Sequence, residues 1–100
     1  MNSLQKQNKT GPADSPDIFI HNFENNLLEM NKWQDVELLL LKLQFLGMNF
    51  DPFDTQVSSE CQQVMESLGL TEHLKNPYLA TNILLRLLDK TEERLNNLKQ

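Results

Sequence analysis

The stretch Val36-Glu37-Leu38-Leu39-Leu40-Leu41-Lys42-Leu43-Gln44-Phe45-Leu46, closed by Gly47, decides the fold of this chain. Eight of these eleven residues are apolar. The run is too short to span a bilayer, which takes about 20 apolar residues. It is also too apolar for a helix resting on a polar surface. A helix that is greasy nearly all round has to be wrapped by other elements. A helix over 32–46 is therefore expected at the centre of the fold, with Gly47 as its left-handed cap.

Working outward, the flanking sequence supplies three helices to do the wrapping. Upstream, Ser15-Pro16-Asp17 is a helix start: an N-cap residue, a proline suited to the first turn, and an acid at the positive end of the dipole. Ile20, Phe23, Leu27 and Met30 follow at helical spacing, which gives a helix over about 16–30. Asn31 stands three residues before Gln34, a capping-box pattern that separates this helix from the next. Downstream, Asp54 or Thr55 can cap a third helix carrying Val57, Cys61, Val64 and Leu68 on one face. Gly69 stops it, with Leu70 placed to close a Schellman contact. Asn76-Pro77 starts a fourth helix over about 77–98. Its residues Leu84, Leu88, Thr91, Leu95 and Leu98 form a heptad seam.

Composition agrees. Leucine occurs nineteen times, against three isoleucines and three valines, a balance that favours helix over sheet. The expected fold is all-α, a four-helix bundle or compact four-helix array with helix 32–46 central. Residues 15–100 would form a single helical domain, and the polar residues 1–14 a disordered tail.

Charge narrows the function. The net charge is −5. Nine basic residues less Lys6 and Lys9, set against fourteen acids, leave −7 from Asp14 onward. Such a body is repelled by nucleic acid and by anionic membranes, so neither is expected as a partner. A lone cysteine and no apolar leader in the first twelve residues point to a cytoplasmic or nuclear protein. On that reading the Asn8-Lys9-Thr10 sequon is accidental.

Catalytic, cofactor and metal constellations are not expected. Cys61 lies within an apolar stripe, where a nucleophilic thiolate would be disfavoured. His21 and Glu24 are one turn apart among asparagines, which reads as a solvated face rather than a ligand pair. His73 beside Glu72 reads as a helix-end residue. Ser15-Pro16 fits a proline-directed phosphorylation site, although an N-cap role accounts for it. Asp51-Pro52-Phe53 resembles the tripeptide that clathrin-adaptor appendage domains read. That resemblance covers three residues and implies an exposed docking motif. The alternative is that Phe50 and Phe53 plug the end of the bundle while Asp54 caps the third helix.

The resulting expectation is a non-enzymatic interaction module, such as a small subunit, adaptor or inhibitor, that works by helix-face docking. Leu88, Thr91, Leu95 and Leu98 on the C-terminal helix, with Phe50 and Phe53, are the candidate partner-binding residues. The partner would be another protein or a second copy of the chain. The alternative is a small regulatory protein or chaperone that holds an amphipathic client segment in an apolar groove. A buried-ligand carrier ranks third.

Overall fold

A computed structural model describes residues 16–100. Ser15 and the tail over 1–14 lie outside the described residues. Four helices account for the fold: α1 (Pro16–Glu29), α2 (Trp33–Asn49), α3 (Ser59–Leu68) and α4 (Pro77–Lys99). No strand occurs among the described residues.

The two ends of α3 and the start of α4 show local sequence acting directly. Ser58 caps α3, its Oγ accepting the Cys61 amide at 3.2 Å. Gly69 closes α3 at φ 70°, a left-handed conformation that costs a residue with a Cβ about 1 kcal/mol. Its amide donates to Glu66 O and the Leu70 amide to Met65 O, the paired bonds of a Schellman motif. Asn76 then caps α4 by accepting the Tyr78 amide at 3.0 Å, with Pro77 in the first turn.

Three expected boundaries are corrected. The break between α1 and α2 is present, but the N-cap is Lys32, and no side chain caps the helix. α2 does not stop at Gly47. It runs on to Asn49, where the Phe50 amide closes the last turn on Leu46 O at 2.8 Å. The stop comes from Pro52, which disfavours helical backbone at Asp51, so the proline rather than the glycine sets the end. Asp54 does not cap α3. Its Oδ1 accepts the Gln56 amide at 3.0 Å, and Asp51 Oδ1 accepts that of Phe53 at 3.0 Å. Both aspartates are spent on turns of the 50–58 loop.

The helices lie in the spatial order α1, α4, α2, α3. This is an array rather than a closed bundle, with extents of 45 × 34 × 18 Å. α4 is as central as α2. One half of the core gathers Ile20, Leu43, Leu46, Cys61, Met65, Leu74, Ala80 and Leu87. The other half joins Leu27, Val36, Leu40 and Leu95. Leu40 and Leu43 are buried as the greasy run implied, while Leu39 is only half-buried.

One lock was not anticipated. α1 has no basic residue in its last turn to complement its negative end. Arg94 of α4 supplies that charge from outside. Its Nε donates to Leu27 O at 3.1 Å, and its Nη2 to Leu28 O at 3.2 Å and Met30 O at 2.9 Å.

Candidate docking face

α2 carries two apolar stripes on opposite sides. Val36, Leu40, Leu43 and Leu46 recur at steps of four, three and three, and all are buried. Leu38, Leu41, Phe45 and Met48 recur at three, four and three on the other side. Leu38 is 55 % exposed, Leu41 56 % and Met48 84 %, while Phe45 between them is half-buried and packs in part against the core. The expectation that α2 would be wrapped all round is thus half right. α4 and α3 cover one side, and the array is too thin to cover the other.

The rim of the open stripe is polar. Gln34, Gln44 and Asn49 contribute amides, Glu37 stands on one flank and Lys42 on the other. At the start of α2, Lys99 Nζ lies 4.9 Å from the centre of the Trp33 ring and 3.9 Å from Glu37 Oε2. Apolar anchors ringed by polar groups are the usual anatomy of a helix-docking surface.

The seam on α4 that was expected to meet a partner faces inward instead. Leu95 is 7 % exposed, Thr91 is fully buried, and Leu88 and Leu98 are half-buried against the second core cluster. Thr91 satisfies its hydroxyl within the helix by donating to Leu87 O at 2.6 Å. At 23 residues α4 is the longest helix, yet its end does not project beyond the shorter ones. They are staggered along it instead. Ile20 of α1, Leu43 and Leu46 of α2 and Leu74 share a core cluster with its first half, while Leu27 of α1 and Val36 of α2 reach its last turns.

Phe50 and Phe53 part company. Phe50 packs against the core. Phe53 is 62 % exposed and sits edge-on to Tyr78, ring centres 5.4 Å apart, so it does not plug the fold. Beside Phe50 lies a cleft of about 270 Å³ with Pro52, Val57, Met65 and Leu74 in its wall and Asp54, Glu66 and Lys75 at its rim.

Of the other candidate side chains, His21 is exposed on α1, and Cys61, Glu24 and His73 are engaged structurally. Cys61 is buried in the core. Glu24 pairs with Lys90 at 3.3 Å. His73 stacks on Phe19 with ring centres 3.7 Å apart. Burial there holds its pKa below 6.5, opposed by the nearby charge of Glu72. No cluster of three metal-ligating side chains occurs among the described residues. Comparison with protein-family models, with curated proteins and with solved structures gives no match for this chain.

Proposed function

We propose that this chain is a non-enzymatic protein–protein interaction module, a small subunit, adaptor or inhibitor, that docks a helix on the outer face of α2. The observation that carries this is the second apolar stripe, in which Leu38, Leu41 and Met48 are left open by the chain's own packing and Phe45 is half-buried between them. Apolar surface in water costs about 25 cal/mol per Å². Three open anchors at helical spacing, with Phe45 half-buried between them, match what a partner helix presents in return. This reading seats the docking residues on α2 instead of on α4 and at Phe50 and Phe53, where the sequence placed them. The acidic body weighs against nucleic acid and anionic membrane as partners. No helix among the described residues is long and apolar enough to cross a membrane. A lone cysteine suits a cytoplasmic or nuclear setting.

The cleft beside Phe50 supports a second reading, in which an apolar side chain of an amphipathic client is held between the 50–58 loop and α3. A photo-crosslinking residue separates the two. Placed at Leu41 it should give covalent adducts in native extract, and placed at Leu85, an equally exposed leucine on the outer side of α4, it should give none. Adducts from a probe at Val57 with none from Leu41 would favour the cleft. Equal labelling from Leu41 and Leu85 would refute a specific α2 surface.

A further inference from the structure

We infer that the occupant of the open α2 face is a second copy of the same chain, paired α2 to α2 in parallel about a two-fold axis. This rests on the docking reading above and names its partner. The stripe has the spacing of a short coiled-coil seam, with Leu38 and Phe45 at one core position and Leu41 and Met48 at the other. Glu37 and Gln44 then fall on one flank, Lys42 and Asn49 on the opposite flank. When two helices pair in parallel, each flank faces the other flank of its partner, and a residue meets the one five positions further on. Glu37 and Lys42 are five apart with opposite charge. Gln44 and Asn49 are five apart with matching amides. One two-fold operation therefore forms two Glu37–Lys42 ion pairs and two Gln44–Asn49 amide pairs.

The groups concerned are available. Lys42 makes no ion pair among the described residues, and Glu37 reaches Lys99 only at 3.9 Å. Asn49 donates its amide to Phe45 O at 2.9 Å, which leaves its side-chain oxygen free to accept. The antiparallel arrangement lacks this match. The register that buries all four apolar residues would set Lys42 against Lys42 of the second copy. The core-facing leucines lie on the far side of α2, so the two bodies extend away from the seam.

The size of the seam sets the strength. With the exposures above, it offers on the order of 400 Å² per copy, about half of what a standard stable interface buries on each partner. Two bodies of net charge −7 also repel. The pair is reversible, with a dissociation constant on the order of 0.1 mM.

Sedimentation equilibrium of the full chain up to about 1 mM, with folding checked by circular dichroism, tests this directly. Wild type should dimerise, and Leu41→Asp should be monomeric with an unchanged helical spectrum. Glu37→Lys and Lys42→Glu should each weaken the dimer by about tenfold, because each turns two attractions into repulsions. The double variant, and an equimolar mixture of the two single variants, should recover wild-type strength. A wild-type chain that stays monomeric throughout overturns self-pairing, while adducts from Leu41 with a different protein would leave the docking face standing. Dimerisation that survives Leu41→Asp overturns the docking face as the seat of the dimer. Dimerisation lost in Leu41→Asp but indifferent to both charge reversals keeps the face and overturns the parallel register.

Discussion

Replacing Arg94 should loosen the chain at the junction of α1 and α2, far from the start of its own helix. The guanidinium serves three carbonyls at once, those of Leu27, Leu28 and Met30. A hydrogen bond from a charged donor contributes about 1.5–3 kcal/mol when its acceptor is buried. Leu28 O is at the surface and can turn to water, and the other two acceptors are part-buried, so the three bonds do not add. Charge at a helix C-terminus contributes a further 0.3–1 kcal/mol or so. Arg94→Met keeps the aliphatic stem and removes the fork. It should cost about 2 kcal/mol in all. For a domain of this size that lowers the melting temperature by about 10 °C. In urea, with a slope near 1 kcal/mol/M, the midpoint should fall by about 2 M. Arg94→Lys keeps the charge, but a single ammonium cannot reach all three acceptors, so about half the loss should remain. Equilibrium urea unfolding followed by circular dichroism measures all three proteins. If Arg94→Met unfolds at the wild-type midpoint, the lock is decorative. If Arg94→Lys matches wild type, charge alone matters and the fork geometry does not.

Two glycines should respond with opposite signs to the same substitution. Gly47 is helical, and an added Cβ would meet Leu88 at an ordinary 3.7 Å, so Gly47→Ala should stabilise by about 0.5–1 kcal/mol. Gly69, at φ 70°, should lose about 1 kcal/mol on the same change, and thermal melts of the pair check both. Stability should also fall in acid through His73. Its folded pKa lies below 6.5, so the unfolded chain binds more protons in the window just under that value. That contribution is whole above 6.5 and is lost as pH drops through the folded pKa. Against wild type, His73→Phe should show a flatter stability profile between neutral pH and about pH 5.

Much of the fold was legible because its signals are local. Pro16 opens α1, Asn76-Pro77 opens α4 with Asn76 as its cap, and Gly69-Leu70 closes α3 where the Schellman pattern required. Gly47 misled because a glycine inside a helix is tolerated at modest cost, and the stronger stop at Pro52 came five residues later. Asp54 misled because an aspartate can serve a turn as readily as a helix cap. The docking face was harder to see. Val36, Leu40, Leu43 and Leu46 interleave with Leu38, Leu41, Phe45 and Met48, and together they read as one uniformly greasy helix. Separating the two sets requires knowing that the array is thin, which is a tertiary fact. The seam on α4 failed as a site for the same reason: whether its last turns project depends on how the shorter helices stagger. Arg94 had one faint signal, the lack of any base at the end of α1, but its partner lies more than sixty residues away.

α2 turns one apolar face to its own core and holds the other at the surface. The unfolding free energies of Leu43→Ala and Leu41→Ala, taken in the same urea titration at a concentration low enough to keep the chain monomeric, tell the two faces apart. Leu43 is fully buried, and its truncation should cost about 3–5 kcal/mol. Leu41, two residues away, should cost less than about 0.5 kcal/mol, since alanine suits an exposed helical site. Equal losses at the two positions would mean that the outer face is packed within the chain, and the docking surface would not exist.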